Sequence, residues 1–264
     1  GDIGTGIDAR DSYVTVQGNH FRNMGEMLHC TSCQSLVENN IFENVQGYSD
    51  AIDFDGERGA VSIIRGNVIL GSEDDGIDLG GASPIMERNW IENCADKGVS
   101  LEGASAPEVI NSVIVQCSMG IAVKDRCHAF LVHNTIASCQ TGISLYEKNA
   151  NQGGGTAEIV NCLVWDAEQS LELDDKSSAV VSHSNLMQLP AAFQESNLSL
   201  DPLFQDVSQW RLDLQAGSPL IDAGRQTEIG SDYLGAVRPI GAAPDIGAYE
   251  YSNPTSIEKW MLHP

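Results

Sequence analysis

Apolar and polar positions alternate along most of the chain, in short segments that return at intervals of little more than twenty residues. In each segment two apolar residues flank one outward residue, at positions 6–9, 27–30, 51–54, 76–79, 98–101, 120–123, 142–145 and 170–173. Alternation with a period of two predicts a β-strand with one buried and one solvated face. No stretch sustains the i, i+3, i+4, i+7 spacing of an amphipathic helix, so almost no helix is expected.

An asparagine recurs in step with these strands. The residues are Asn19, Asn40, Asn67, Asn89, Asn111, Asn134, Asn161 and Asn185, at intervals of 21, 27, 22, 22, 23, 27 and 24 residues. Two positions after each one lies an apolar residue: Phe21, Phe42, Ile69, Ile91, Val113, Ile136, Leu163 and Met187. Asparagine tolerates left-handed turns and can hydrogen-bond to equivalent residues above and below it. A repeat of this length predicts a solenoid of stacked coils.

Three strands in each coil, paired in parallel with the next coil around an apolar interior, predict an all-β fold, a right-handed parallel β-helix. The hand follows from the crossover rule for parallel strands. We assign residues 1–195 to this solenoid. Residues 5–8 already match 75–78, so the sequence is expected to begin inside a longer solenoid and to belong to a parent chain with further domains.

After Asn185 the repeat stops, and residues 196–251 form a turn-rich segment followed by a tail at 252–264. Its motifs, among them 218–224 and 245–251, resemble the module that closes many secreted bacterial β-helix proteins, including those called choice-of-anchor proteins. The resemblance implies a C-terminal capping module over the open edge of the last coil. Asp222, Asp232 and Asp245 are interpreted as turn and cap residues.

The chain has 264 residues and a formal net charge of −23, which argues against nucleic-acid binding because phosphate recognition needs clustered Lys and Arg. No apolar run approaches the roughly 18 residues of a membrane span. The acidic residues either provide solubility or include a subset that binds divalent cations.

Seven cysteines leave at least one unpaired. Cys94, Cys117 and Cys139 recur at nearly the same place in three coils, which predicts a buried ladder of small side chains. Cys30 and Cys33 beside His29 suggest zinc only weakly, because no second ligand pair follows at suitable spacing.

The outward positions of the alternating strands form a column, namely Asp8, His29, Asp53, Asp78, Ser100, Ala122 and Ser144. Three residues earlier in each coil runs a second column, Glu26, Asp50, Asp75, Lys97, Met119 and Thr141, with Asp74 and Asp96 beside it. Stacked coils lie about 4.8 Å apart. Asp50, Asp53, Asp74, Asp75 and Asp78 should therefore crowd one patch, where a calcium ion would offset their repulsion. Alternatively, some of them cap turns and the others extend into water.

The cluster Asp74-Asp75-Gly76-Ile77-Asp78, with Asp50 one coil earlier, resembles the calcium site of the family nine pectate lyases, which are right-handed parallel β-helices. The resemblance implies calcium on Asp50, Asp74, Asp75 and Asp78, an acidic polysaccharide substrate, and a lysine on a later coil as the base. Lys97 lies one coil on, at a shorter spacing than the family pattern. Lys124 is the alternative base, although it could instead pair with Glu102. Arg10 and Arg126 are candidates for binding substrate carboxylates.

Segments 96–102, 120–125 and 142–149 resemble β-helix regions of bacterial surface proteins that lie beside CotH-type kinase or lamin-tail domains. The resemblances imply a secreted or cell-surface protein. Two functions remain open. One is a calcium-dependent lyase that cleaves acidic polysaccharide by β-elimination, with hydrolysis by a carboxylate pair a weaker option. The other is a non-catalytic adhesion or spacer solenoid with structural calcium or none, in which Lys97 and Lys124 are held in ion pairs.

Overall fold

The computed structural model describes residues 4–252, so the predicted tail lies almost wholly outside the described residues. The strands, in chain order, are β1 Ile7–Arg10, β2 Tyr13–Gln17, β3 His20–Met24, β4 Leu28–Glu38, β5 Ile41–Val45, β6 Ile52–Glu57, β7 Ile63–Arg65, β8 Val68–Ser72, β9 Ile77–Gly80, β10 Ile85–Glu87, β11 Trp90–Cys94, β12 Lys97–Glu102, β13 Glu108–Ile110, β14 Val113–Val115, β15 Met119–Lys124, β16 His128–Val132, β17 Thr135–Ala137, β18 Thr141–Tyr146, β19 Thr156–Val160, β20 Leu163–Trp165, β21 Gln169–Leu173, β22 Ser178–Ser182, β23 Asn185–Leu186, β24 Phe204–Asp206 and β25 Arg211–Leu214. Within the described range, helix is limited to two 3₁₀ turns, Ala191–Phe193 and Val207–Gln209.

The first twenty-three strands wrap into a solenoid with three faces. Face A contains β1, the first part of β4, β6, β9, β12, β15, β18 and β21; face B contains β2, the rest of β4, β7, β10, β13, β16, β19 and β22; face C contains β3, β5, β8, β11, β14, β17, β20 and β23. Strands pair with the next coil in parallel on all three faces. The predicted all-β parallel β-helix is therefore confirmed.

The register of face A matches the sequence prediction in every coil. Its inward column is Ile7, Leu28, Ile52, Ile77, Val99, Ile121, Ile143 and Leu171. Apart from Ile7 at the open end, these residues are almost fully buried, so they form one wall of the continuous core. The outward column runs beside it, with Asp8, His29, Asp53, Asp78 and Ser100 in adjacent coils.

The asparagine ladder is real, but its predicted register is wrong in three coils. The backbone N–H of Asn40 donates to Asn67 Oδ1, and that of Asn67 donates to Asn89 Oδ1, both at 3.0 Å. The next rungs are not all asparagine: the ladder continues through Ser112, Asn134, Cys162, Ser184 and Asn197. A serine hydroxyl accepts the same N–H bond, which is why the rung can change residue type without breaking the ladder.

Asn111, Asn161 and Asn185 lie next to the ladder rather than in it. The inward column of face C is correspondingly Phe21, Phe42, Ile69, Ile91, Ile114, Ile136, Val164 and Leu186. Val113 and Leu163, which the asparagine spacing aligned with the apolar residues of the other coils, face away from the interior and pack under the C-terminal segment. In the last coil, Leu186 and not Met187 occupies this inward position.

The C-terminal segment lies along the outer side of face C. Its buried residues Leu212, Leu220, Ile246, Ala248 and Tyr249 form a second apolar cluster with outward residues of that face: Trp90, Val113, Val115, Ala137 and Leu163. We expected this segment over the open edge of the last coil. Only its first residues, 197–200, meet that edge, where they pair with Ser184, Asn185 and Leu186.

Polar contacts fix the same interface. Asn111 Nδ2 donates to Ser231 O at 2.7 Å, and Asn161 Nδ2 donates to Arg225 O at 2.8 Å. The fully buried Arg238 and Glu250 form an ion pair at 2.7 Å, with Arg238 also against His133 of the solenoid. Burying two charges costs several kcal/mol per ion, and the ion pair together with further hydrogen bonds of both side chains offsets this cost.

The predicted turn roles of three aspartates in this segment are confirmed, because each accepts backbone N–H groups. Asp222 accepts from Ala242, Asp232 from Ala236 and Asp245 from Asp222. The cysteine prediction is confirmed as well: all seven cysteines are free and buried.

Replacing a buried ladder asparagine should destabilise the solenoid much more than replacing the same residue at its open end. Asn67→Ala removes the bonds to Val37 O and Asn89 and leaves the Asn40 N–H without its acceptor, so we expect a loss of about 2–4 kcal/mol. Asn19→Ala, at an exposed end of the ladder, should cost below about 1 kcal/mol. Equilibrium urea unfolding measures both, and equal losses would contradict the ladder's stabilising role.

A candidate cation site on face A

The predicted carboxylates are carried by two adjacent coils. Asp53 on β6 and Asp78 on β9 are direct parallel neighbours. Asp50, Asp75 and Lys97 stack at the bend that leads into face A, as successive backbone hydrogen bonds show. The predicted columns are therefore confirmed in position.

Asp50, Asp74 and Asp75 form the tightest group at this bend. Each offers one carboxylate oxygen, and the three oxygens lie within 4.8 Å of one another. Asp50 Oδ1 accepts the N–H of Asp75 at 2.8 Å, and Asp75 Oδ1 accepts the N–H of Lys97 at 2.8 Å. These bonds hold the carboxylates in place, so the expectation that some aspartates cap turns also holds. A carboxylate has two oxygens, and capping does not use up its capacity to bind a cation.

The pKa values of all three carboxyls in this group are raised, so their charged forms are disfavoured. Burial, followed by the charge of Asp75, raises the pKa of Asp50 to about 8. Burial also raises the pKa of Asp75 to about 6, although the Lys97 charge opposes the shift, and it raises the pKa of Asp74. Each of these carboxyls therefore retains a proton more readily than in water unless a positive charge is supplied.

The five predicted ligands do not form a single group in the structure: Asp50, Asp74 and Asp75 lie together, and Asp78 and Asp53 differ from them. Asp78 Oδ1 is buried and meets no hydrogen-bond donor within residues 4–252. Asp78 also contributes to the raised pKa of both Asp50 and Asp75, so its charge acts on that group. Asp53 belongs elsewhere: its carboxyl pairs with Glu26 and approaches His29.

Lys97 lies beside the carboxylate group and is fixed by it. Its Nζ is 3.3 Å from Asp75 Oδ1 and also contacts Asp96 Oδ2. Burial lowers the pKa of Lys97, but the hydrogen bond to Asp96 and the charge of Asp75 outweigh it, so the net shift is upward. Lys97 is therefore ammonium while Asp75 and Asp96 are its neighbours.

Lys124 is almost completely buried although it points out of face A. Its Nζ donates to Ser100 Oγ at 2.7 Å and lies 3.0 Å from Glu102 Oε2. Lys148 reaches the same Glu102 oxygen at 2.7 Å. The predicted pairing of Lys124 with Glu102 is therefore present.

The two predicted substrate-binding arginines contact residues outside the group of Asp50, Asp74 and Asp75. Arg10 is exposed and lies 3.4 Å from Asp8, whereas Arg126 occupies a turn and donates to Gln152 at 2.6 Å. Their proposed roles remain predictions. The sequence analysis did not consider Glu26 as a metal ligand, and it grouped His29 with Cys30 and Cys33 rather than with the carboxylates that surround it.

The donor set of the bend fits calcium. Calcium takes six to eight oxygen ligands, and here every side-chain donor is a carboxylate oxygen, including the unsatisfied Asp78 Oδ1. Asp50, Asp74, Asp75 and Asp78 would hold the ion. Water or oxygens of a ligand would fill the remaining positions.

The fold is a right-handed parallel β-helix, and the chain belongs to the family described as "Right handed beta helix region", which matches residues 5–152. A solved structure described as "Crystal structure of pectate lyase Pel9A" aligns with 92% of this chain and 68% of that chain, at 16% sequence identity and a TM-score of 0.42. No curated protein matches. No helix within residues 4–252 has the length and hydropathy to cross a membrane.

Removing the Asp50 charge should stabilise the calcium-free protein at alkaline pH. The pKa of Asp50 is about 8 in the fold against 3.8 in the reference state, so between those values the folded form holds a proton that the unfolded form releases. The stability contributed by this carboxyl is therefore present at low pH and lost as pH rises towards 8. In EDTA, the stability of Asp50→Asn relative to wild type should increase between pH 5 and pH 8.5 by roughly 1–3 kcal/mol.

Calcium should reverse this order of stability, because we expect it to stabilise the wild-type protein and not Asp50→Asn. Thermal unfolding with EDTA or calcium at both pH values measures this, and the exposed Asp175→Asn is the matched control. Equal calcium stabilisation of wild type and Asp50→Asn would contradict the site.

Proposed function

We propose that this protein is a calcium-dependent β-helix that binds acidic polysaccharide on face A and cleaves it by β-elimination. The observation that carries the proposal is the grouping of three carboxylates within 4.8 Å with a lysine Nζ 3.3 Å from one of them. A cation site and a proton-accepting group are the two parts that such a reaction requires. We place the protein's action outside the cell, on polysaccharide there.

The overall charge supports a cation between protein and substrate. A protein with a formal net charge of −23 repels a polyuronate unless bound cations bridge the two. A site with open coordination positions suits that bridging role, because a substrate carboxylate can complete it.

When bound, calcium would act as a Lewis acid that stabilises negative charge on the substrate carboxylate. Lys97 is the residue that we assign as the base. With the charge of Asp75 taken up by a cation, one cause of its raised pKa is removed, and the ammonium can lose its proton more readily. The neutral amine would then accept the proton α to the substrate carboxylate, the electron pair of that C–H bond would form the C=C bond, and the glycosidic oxygen on the β carbon would leave and take a proton from solvent. Asp96 would keep the Lys97 side chain oriented.

Lys124 is better suited to orienting the site than to proton transfer. It is buried between Ser100 and Glu102, and Ser100 stacks directly on Asp78. A buried cation at this position would hold Glu102 in place and limit the negative charge next to the carboxylate group.

A non-catalytic solenoid is the second candidate, and the ion pairs of both lysines favour it. Lys97 and Lys124 each contact a carboxylate within 3.3 Å or less, as expected of a structural network. In this function calcium would stabilise the coils, and face A would bind or present glycan without cleaving it.

Lys97→Ala should abolish lyase activity without abolishing calcium binding. We expect the rate of unsaturated product formation on pectate, alginate or a glycosaminoglycan to fall at least about 100-fold, as for loss of a general base. The assay is ultraviolet absorbance of the unsaturated uronide, with and without calcium. The exposed Lys176→Ala, which removes a lysine paired with Glu147, should keep wild-type activity.

The same assay separates the two candidates. Wild-type protein that forms no product on any of these polymers, yet is stabilised by calcium, would contradict the lyase and support the structural solenoid. Activity that persists in EDTA would contradict the calcium-dependent mechanism.

A further inference from the structure

A second cluster of metal-ligating groups lies one coil before the calcium site. Glu26, His29 and Asp53 each offer one ligand atom, and these atoms all lie within 4.8 Å of one another. His29 on β4 and Asp53 on β6 are direct neighbours on face A, and Glu26 belongs to the bend that also carries Asp50 in the next coil. The side chains of His29 and Asp53 are 17% and 18% exposed, so the cluster is shielded but open to solvent.

The two nitrogens of the His29 ring face carboxylates on opposite sides. Nε2 lies 3.7 Å from Asp53 Oδ2 and 3.4 Å from Asp55 Oδ2, whereas Nδ1 lies 3.7 Å from Asp8 Oδ1. These separations exceed the usual length of a direct N–H···O hydrogen bond, about 2.7–3.2 Å. The separation between Nε2 and Asp53 Oδ2 is within about 0.3 Å of the roughly 3.4 Å expected between two ligand atoms bound tetrahedrally at about 2.1 Å from one metal ion.

The position of Asp8 adds an independent feature of metal-binding histidines. A histidine that ligates a metal through one nitrogen commonly directs its other N–H to a carboxylate, which fixes the ring and its tautomer. Asp8 Oδ1 lies 3.7 Å from Nδ1, so a shift of about 0.5 Å in the side chain of this parallel neighbour would bring it within hydrogen-bond range.

We propose that Glu26, His29 and Asp53 form a binding site for a divalent transition-metal ion, with zinc as the representative metal and Asp8 orienting the histidine. An imidazole nitrogen with two carboxylates suits zinc and its neighbours in the first transition row, whereas calcium prefers oxygen donors alone. Three protein ligands leave a fourth position for water or substrate, as in catalytic zinc sites. This site is separate from the proposed calcium site, because it shares no ligand with Asp50, Asp74 and Asp75.

Zinc titration in a calcium-saturated buffer tests the proposal. We expect isothermal titration calorimetry to show one zinc ion bound per wild-type chain. His29→Gln and Glu26→Gln should each weaken binding at least about tenfold. His20→Gln is the matched control, because His20 lies on face C and contacts Glu43 at 2.9 Å; it should bind zinc as wild type does. Asp74→Asn should also leave zinc binding unchanged.

Cobalt(II) substitution identifies the ligands by their absorption spectrum. We expect ligand-field bands without thiolate-to-cobalt charge transfer, because the cysteines are all buried. Thermal unfolding in EDTA confirms that each variant is folded before titration. The proposal is overturned by unchanged zinc affinity in folded His29→Gln, by zinc that calcium displaces completely, by a thiolate band, or by wild-type protein that binds no zinc.

Discussion

Parallel stacking of coils in register is the constraint on which the rest of this structure depends. Each coil lies about 4.8 Å from the next, so residues at equivalent positions become neighbours whatever their chemistry. For apolar side chains this proximity is favourable, as in the stacked rings of Phe21 and Phe42, with centroids 5.0 Å apart and planes at 3°. For the buried asparagines it supplies a partner for each amide. For the aspartates of face A it brings like charges together.

The carboxylates of face A therefore carry an electrostatic cost that the fold by itself does not remove. The raised pKa values of Asp50, Asp53 and Asp75 express that cost, because the charged forms are disfavoured relative to water. Protons, lysine ammonium groups and metal ions are the available sources of compensation. Lys97 compensates Asp75 in part, and Glu26 and Asp53 share a hydrogen bond that favours a proton between them. Under the proposed function, metal ions take over this role.

Face A was predictable from sequence in every coil because its pattern is redundant: each strand has an inward apolar pair and a polar residue between them. Face C was not, because the ladder position changes to Ser112, Cys162 and Ser184 while an asparagine stands one place away. The false match aligned Val113 and Leu163 with residues that point into the interior in the other coils. Their real packing, beneath Leu220 and Ile246, depends on contacts distant in sequence, and no local pattern encodes them. His29 was placed correctly in its column but was considered as a metal ligand only with Cys30 and Cys33, since only the three-dimensional register shows which carboxylates surround it.

The most direct test of the central claim, that register-enforced carboxylates form a cation site, is a crystal structure of the protein in calcium with anomalous diffraction data. We expect an anomalous peak in contact with oxygens of Asp50, Asp74, Asp75 and Asp78. Well-ordered carboxylates with no ion between them, at a calcium concentration that saturates any solution binding, would contradict it.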